Sequence, residues 1–168
     1  MKSVELLSEM MGDKNIIHFQ KMESDGNLIE VELSVNGACT EASLQKAESD
    51  LAFKLPNEYR SFLRVFDGSR LFDYDKLDGI QLLSTDELCK FNLYARNTFE
   101  EIWDEDILIF AKYIGEDNYL GFHFDQNGNY NIIDCFFEEI PNNWKVIANS
   151  FDEFLMKFLL EQGRKYWL

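Results

Sequence analysis

The sequence predicts a single α+β domain spanning residues 1–168, with a mostly antiparallel sheet and helices packed on one face of it. Three observations lead to this prediction. A chain of 168 residues can bury one substantial core and is short for two. Helical apolar stripes occur near both ends, and short alternating segments separated by turn residues lie between them. Two prolines and no low-complexity stretch argue against a disordered linker.

The first 37 residues predict a helix followed by a hairpin. The helix takes its apolar side from Leu6, Leu7, Met10 and Met11. Two strands, at residues 16–22 and 28–35, are separated by a turn at residues 24–27. The second strand alternates cleanly between apolar and polar residues, so one of its faces should be buried and the other exposed to water.

Two helices in close succession come next. The first covers residues 41–51, with Thr40 as its N-cap. The second begins with Pro56 at the first helical position, where a missing N–H group loses no partner. Its apolar stripe consists of Tyr59, Phe62, Leu63 and Phe66. Gly68 is predicted to close this helix in a left-handed conformation.

The middle of the chain predicts a short strand and a longer helix. An aspartate-rich stretch at residues 71–78, to which no element is assigned, precedes a strand at residues 80–83. A capping box formed by Ser84 and Glu87 then starts a helix over residues 85–96. Thr98 and Glu101 repeat the box on a smaller scale.

The remaining residues predict four strands and a closing helix. The strands cover residues 107–113, 120–124, 130–136 and 144–148, and a turn at residues 126–129 joins the second to the third. Ser150 and Glu153 form another capping box. The helix that follows carries a stripe of phenylalanine and leucine and ends near Gly163.

One continuous run identifies a family. Residues 47–68, AESDLAFKLPNEYRSFLRVFDG, join an acidic helix, a Leu-Pro junction and an aromatic helix ending in Asp-Gly. This run resembles the start of proteins of the SUKH superfamily, the Smi/Knr-like proteins. Residues 113–135 and 146–159 are similar to the central hairpin and to the closing strand and helix of that family. The resemblance implies a SUKH-like core at residues 38–163 and leaves residues 1–37 as an N-terminal helix and hairpin extension.

The formal net charge of −15 narrows the classes of partner. It exceeds the magnitude of about 2 to 8 that suits a small soluble domain. A field of this sign repels nucleic acid and anionic membranes and attracts cationic partners. We therefore expect neither nucleic acid nor a membrane as a direct partner, although the acids could simply form a solvated shell.

The cysteines and the hydropathy pattern bear on location. Cys39, Cys89 and Cys135 are odd in number, far apart and without a Cys-x-x-Cys pair, so they are expected to be reduced and mostly buried thiols. No secretion signal is recognised, and no apolar run approaches the length of about 20 residues that crosses a bilayer. These features predict a cytoplasmic protein.

Residues that could perform catalysis or bind a metal are scarce. Only two histidines occur, His18 and His123, and the latter is expected to be a partly exposed strand residue, because no nucleophile can be named for it. Asp125, Asn127 and Asn129 superficially resemble a calcium loop, but a hairpin turn explains them equally. We expect no cofactor, no functional metal and no enzyme, with a carboxylate-based hydrolase as a less favoured alternative.

The strongest local charge feature lies at residues 100–106, where five acids surround an isoleucine and a tryptophan. Carboxylates beside an aromatic ring could form a docking surface for a basic partner. The alternative is a solvated loop with its tryptophan in the core. A second such group surrounds Pro141 and Trp144. The predicted partner-binding residues are Glu100, Glu101, Trp103, Asp104, Glu105, Asp106, Glu138 and Glu139.

The resemblance also implies a function. SUKH proteins are commonly immunity proteins of bacterial toxin systems, so this chain is expected to bind and neutralise a cognate toxin, and a basic nuclease domain is the expected kind of toxin. Some relatives serve instead as interaction modules in regulation or signalling, and this remains the alternative. The sequence does not define the oligomeric state, although an exposed strand edge at the N-terminal hairpin could pair with a copy of itself.

Overall fold

The computed structural model describes residues 1–23 and 25–168 and contains, over those residues, five α-helices and eight strands. Ser24, the first residue of the predicted turn at residues 24–27, lies outside the described residues. The elements follow in the order α1 (Lys2–Met11), β1 (Ile16–Met22), β2 (Leu28–Val35), α2 (Glu41–Leu51), α3 (Asn57–Leu63), β3 (Ser69–Tyr74), β4 (Asp78–Leu82), α4 (Thr85–Phe99), β5 (Ile107–Tyr113), β6 (Tyr119–Phe124), β7 (Tyr130–Cys135), β8 (Lys145–Ala148) and α5 (Phe151–Leu160).

The eight strands form one sheet in chain order, and every neighbouring pair is antiparallel. Each connection therefore joins adjacent strands, which leaves β1 and β8 as the two edges. The predicted α+β class with an antiparallel sheet is confirmed. None of the described helices is both long enough and apolar enough to span a membrane.

Strand β3 is an element that the sequence did not reveal. Its alternation is interrupted because Phe72 has a φ of 55° and because the pairing with β4 shifts register between Leu71 and Tyr74. In a regular strand, residues two apart lie on the same face. A register shift breaks this alternation, so the apolar residues no longer recur with the period of a strand. Phe72 is nevertheless buried, with its ring edge-on to that of Phe158 in α5.

The ends of α3 correct two predictions. Pro56 is the N-cap, with φ −54° and ψ 142°, and is not the first helical residue. The helix stops at Leu63, so Gly68 does not close it. Gly68 instead precedes β3 with a φ of 89°, and a Cβ there would lie 3.0 Å from the backbone nitrogen of Ser84. Its conformation and the close approach of that backbone both require glycine.

The helix α4 runs three residues beyond its predicted end, to Phe99. Thr98 consequently lies inside the helix and does not cap a new one, and its hydroxyl donates to the carbonyl oxygen of Tyr94. The capping box of Ser84 and Glu87 is present as predicted. Strand β7 ends at Cys135, one residue before its predicted end. Helix α5 ends at Leu160, before the predicted end near Gly163.

An aromatic core joins α3 and α5 to the sheet. The ring of Tyr59 lies 5.6 Å from that of Phe110 in β5, 5.5 Å from that of Phe122 in β6 and 5.1 Å from that of Phe151 in α5. The Tyr59 hydroxyl donates to the carbonyl oxygens of Leu83 and Phe110. Burial raises the pKa of Tyr59 far above its ordinary value, so the hydroxyl remains a donor.

Helix α4 is held where β4 and β5 diverge. Pairing between these strands stops at Leu82 and Ala111, and the buried side chain of Asn92 supplies the missing partners farther along β5. Its amide oxygen accepts from the Ile109 N–H at 2.8 Å, and its amide nitrogen donates to the Ile109 carbonyl at 2.8 Å. Phe91 in α4 also approaches Tyr119, which alternation places on the opposite face of β6 from Phe122. Helix α4 thus lies beside the first half of β5, which β4 does not pair with, whereas α3 and α5 pack on one face of the sheet.

Candidate functional site

The acidic loop, residues 100–106, leads from α4 directly into β5. It begins with a 3₁₀ turn at Glu100–Ile102, and Glu100 adopts a left-handed φ of 45° as α4 ends. The backbone N–H of Trp103 donates to the Glu100 carbonyl, and that of Ile107 donates to the Asp104 carbonyl. These local hydrogen bonds give the loop a defined backbone shape.

Within this loop, Ile102 and Trp103 have opposite environments. Trp103 is only 8 % exposed, with its ring centroid 6.3 Å from that of Phe99 and 6.2 Å from that of Trp144. Ile102 is 55 % exposed. The alternative in which Trp103 belongs to the core is therefore the one the structure supports, and the exposed apolar side chain of the acidic loop is that of Ile102.

Two of the five carboxylates in the acidic loop have partners within the chain. Asp104 lies 3.1 Å from Nε2 of His123, and its other oxygen accepts from the Asp106 N–H at 2.9 Å. Glu105 lies 3.1 Å from the guanidinium of Arg96 in α4. These contacts fix the base of the loop to α4 and to β6.

The other three carboxylates of the acidic loop point into solvent. Glu100, Glu101 and Asp106 are exposed, and the described residues provide no ion-pair partner for them. Since Arg96 neutralises one of the five acids, the loop keeps a strong net negative charge. Unpaired surface carboxylates interact at long range with cationic partners, because no nearby cation screens them.

The second acidic group follows β7 and has the same construction. Glu138 and Glu139 are exposed, whereas Trp144 is 9 % exposed and uses its indole N–H to donate to the carbonyl oxygens of Phe136 and Glu139. Its neighbours Phe136 and Ile140 are 42 % and 50 % exposed. As in the acidic loop, the tryptophan is buried against the backbone of its segment. The apolar side chains exposed to solvent are those of its neighbours, here Phe136 and Ile140.

A shared aromatic cluster places the two acidic segments side by side. The ring of Phe99, just before the acidic loop, lies 4.8 Å from that of Phe137 and 5.2 Å from that of Trp144. Trp103 and Trp144 are themselves in contact edge to face. We use the name acidic face for the exposed residues of these two segments: Glu100, Glu101, Ile102, Asp106, Phe136, Glu138, Glu139 and Ile140.

His123 is half-exposed, as expected for its strand position. Its contact with Asp104 was not predicted, although the strand register explains it: His123 pairs with Ile107, and Asp104 lies just before that residue. Asp125 accepts hydrogen bonds from the N–H groups of Asn127 and Asn129, as the hairpin alternative requires. Within residues 1–23 and 25–168, no three His, Cys, Asp or Glu side chains are grouped in a way that could hold a metal ion.

An open groove of about 820 Å³ lies at the Leu-Pro junction. It is lined by residues of the α2–α3 connection, the β6–β7 turn and the start of α5. Glu58 is the one carboxylate among its described lining residues. One oxygen of Glu58 accepts from the Tyr130 hydroxyl at 2.6 Å and from the Phe151 N–H at 2.9 Å. A carboxylate used in this way serves the fold, and the groove offers no second one with which it could share a proton.

The thiols and the largest pKa shifts also follow from burial. Cys135 is buried, and burial raises the pKa of its thiol well above the ordinary value. Cys39 and Cys89 are half-buried, so the expectation of mostly buried thiols holds fully for Cys135 alone. Burial likewise raises the pKa of the Tyr130 hydroxyl, which keeps it protonated as a donor to Glu58.

The chain matches the model of a known protein family. The model of the SMI1 / KNR4 family (SUKH-1) matches residues 38–157. The matched segment begins just before α2 and ends within α5, so it contains the Leu-Pro junction, all eight of the helices and strands from α3 to β8, and the acidic face. Comparison with curated proteins gives no match.

Proposed function

The chain belongs to the SMI1/KNR4 (SUKH-1) family, and on this basis we propose that it is a non-enzymatic immunity protein that binds a cognate bacterial toxin and neutralises it. The family is known for immunity proteins and is generally non-catalytic. The proposed toxin is a basic domain, and a nuclease domain fits best. Nucleases must approach phosphates and therefore present cationic surfaces, which an anionic protein can cover.

The observation that carries this proposal is the acidic face. It combines carboxylates that have no ion-pair partner within the described chain with three exposed apolar side chains, those of Ile102, Phe136 and Ile140. Apolar side chains surrounded by charged groups are typical of interfaces in which the centre excludes water and the rim fixes orientation. Opposite charge on the partner would increase the association rate by about 10 to 10³-fold.

The acidic loop is anchored to the rest of the domain by its own side chains, and this favours binding. Asp104 and Glu105 anchor the loop through His123 and Arg96, and Trp103 anchors it in the core. A loop that already has its bound shape loses less conformational entropy when a partner docks. The anchored residues thus position Glu100, Glu101 and Asp106, and they need not contact the partner themselves.

Neutralisation would follow from occlusion. A protein that lies across the cationic cleft of a nuclease blocks access of the nucleic acid and competes with phosphates for the same side chains. No step of this mechanism requires a nucleophile, a general base or a metal on the immunity protein. The geometry around His123 and Glu58, in which each polar group already has an internal partner, is compatible with such a role.

Co-expression tests the proposal. The proposal requires a cognate toxin whose gene adjoins this one; the C-terminal domain of such a toxin is produced in cells with and without the wild-type protein, and cell growth and recovery of a complex are measured. We expect growth only when the protein is present, together with a stoichiometric complex. Persistent toxicity with no recovered complex would refute the proposed function.

A variant separates binding from folding in the same assay. Glu100→Lys, Glu101→Lys and Asp106→Lys in one chain should reduce protection, because they reverse charge on the acidic face without touching the anchored acids. The control carries Glu9→Lys, Asp13→Lys and Glu30→Lys, which make the same charge change at exposed positions on α1, the turn after it and β2. This control should protect as well as the wild type.

A further inference from the structure

The two edges of the sheet are protected to different extents. β8 has four residues, and the Tyr166 hydroxyl donates to the Ile147 carbonyl, so the C-terminal segment partly covers this edge. β1 has seven residues, contains no proline and pairs with β2 without a register shift. A long and regular edge strand with free backbone groups readily accepts another strand. β1 is therefore the open edge.

The hydrogen-bonding direction of β1 follows from the bonds at its two ends. The Val35 N–H donates to the Asn15 carbonyl, and the Glu23 N–H donates to the Asn27 carbonyl. Because hydrogen-bonded pairs alternate along an antiparallel ladder, the odd-numbered residues of β1 bond to β2. The even-numbered ones, Ile16, His18, Gln20 and Met22, direct their N–H and C=O groups away from the sheet, and all four are exposed.

We propose that β1 pairs antiparallel with β1 of a second copy of this chain, about a two-fold axis at Phe19, to make one continuous sheet. The middle of Ile16–Met22 is Phe19, and only this register pairs all seven residues. It sets Ile16 opposite Met22 and His18 opposite Gln20, so the outward-directed groups of one copy meet those of the other. This assembly is independent of the proposed function.

The side chains of β1 suit such self-pairing. β1 has no acidic residue, although the chain has 31. Its outer face pairs two exposed apolar residues, Ile16 at 54 % and Met22 at 61 % exposure. Its inner face sets Phe19 against its own copy, in the closely spaced position where aromatic pairs are favourable. The one lysine, Lys21, is paired with Glu23 at 2.9 Å and would lie opposite Ile17.

Repulsion between two chains of charge −15 does not prevent this contact. The nearest acids on the same face are Glu30 and Glu32 of β2. In the paired sheet, the two copies of β2 are three strand spacings apart, about 14 Å, whereas charges are screened over about 8 Å at physiological salt. The contact is nevertheless smaller than a standard interface, so we expect a dimer that forms at micromolar or higher concentration.

Sedimentation equilibrium of the full chain tests the dimer over concentrations from about 1 μM to about 1 mM. The wild type should show a reversible monomer–dimer equilibrium. His18→Glu with Gln20→Glu should weaken it at least about tenfold, because carboxylates at these positions would face each other twice across the axis. Gln45→Glu with Gln126→Glu, an equal charge change at exposed positions away from β1, should leave it unchanged.

Disulfide trapping tests the register. In a background with Cys39→Ser and Cys89→Ser, Phe19→Cys should cross-link two chains on mild oxidation, because position 19 meets itself at the axis. Ile17→Cys should not, since position 17 lies opposite position 21. Circular dichroism shows whether each variant retains the fold. A wild type that is monomeric throughout, a dimer that His18→Glu with Gln20→Glu leaves intact, or equal cross-linking at positions 17 and 19 would each overturn the proposal.

Discussion

A carboxylate oxygen of Glu58, in α3, lies 2.9 Å from the backbone nitrogen of Phe151, the first residue of α5. The same oxygen lies 3.2 Å from the backbone nitrogen of Asp152. The first N–H groups of a helix have no partner inside the helix, and a carboxylate also interacts favourably with the positive end of the helix dipole. Glu58 follows the Leu-Pro junction, so the run that identifies the family fastens the closing helix to α3.

Removing this contact should destabilise the domain. We expect Glu58→Ala to lower the free energy of unfolding by about 2 kcal/mol, because two N–H groups and the Tyr130 hydroxyl lose a charged acceptor. Tyr130→Phe removes the hydrogen bond to Glu58 and the longer one, 3.3 Å, that the hydroxyl accepts from the Phe151 N–H, and it should cost about 1 kcal/mol. Urea unfolding monitored by circular dichroism measures both. Equal stability of Glu58→Ala and the wild type would show that Glu58 does not cap α5.

Both the oxygen and the nitrogen of the Asn92 side-chain amide should contribute to the stability of the protein. Asn92→Ala leaves both backbone groups of Ile109 buried without a partner, and we expect a loss of about 3 kcal/mol. Asn92→Asp is close in shape and can still accept from the Ile109 N–H, but it cannot donate to the carbonyl when ionised. It should therefore also destabilise the protein at pH 7. Thermal unfolding of the two variants checks this, and a tolerated Asn92→Asp would contradict it.

Neighbouring residues of the acidic loop should respond differently to substitution. Trp103→Ala removes a buried ring from the aromatic cluster and should lower the free energy of unfolding by about 3 to 5 kcal/mol. Ile102→Ser changes an exposed side chain and should alter stability by no more than about 0.5 kcal/mol. Chemical denaturation distinguishes them. If Ile102→Ser also unfolds the protein, Ile102 belongs to the core and not to the acidic face.

The start of α5 should respond to acid through Glu153. A hydrogen bond from Lys157, followed by the Asn149 backbone N–H, lowers the pKa of Glu153 to about 2 from an ordinary 4.5. Because the folded-state pKa is the lower one, the stabilisation is complete above about pH 4.5 and is lost as the pH falls towards 2. After allowance for solvent screening, it amounts to about 1 kcal/mol.

Comparing Glu153→Gln with the wild type at several pH values measures this contribution. The difference in urea midpoint should be largest near pH 6 and should shrink steadily as the pH falls towards 3. Glu9→Gln, at an exposed position of α1, is the control and should match the wild type throughout. A Glu153→Gln difference that stays constant with pH would contradict the assigned cause.

Most of the fold could be predicted because most elements carry a local signal. The capping box of Ser84 and Glu87, the aromatic stripe of α5 and the alternation of β2 each depend on residues a few positions apart. Strand β3 carries no such signal, because the left-handed Phe72 and the adjacent register shift remove its period. The start of α3 was misplaced by one residue, since proline fits both the N-cap and the first helical position.

The sequence indicated the acids that lie in the acidic face, namely Glu100, Glu101, Asp106, Glu138 and Glu139, but not which apolar side chains are exposed beside them. Acids are visible in the sequence, and charged side chains are mostly found at the surface. Whether a tryptophan is exposed depends on contacts such as the one between Trp103 and Trp144, which are 41 positions apart in the chain. The same long-range contact unites the two acidic segments, so no local pattern could have shown that they form one surface.

The most direct test of the account is the association rate of this protein with its cognate toxin domain as a function of salt. The triple variant Glu100→Lys, Glu101→Lys and Asp106→Lys should associate at least about tenfold more slowly than the wild type at low salt, with a flatter salt dependence. The triple control with Glu9→Lys, Asp13→Lys and Glu30→Lys should stay close to the wild type. Unchanged association of the acidic-face variant at low salt, or equal slowing of the control, would contradict the account.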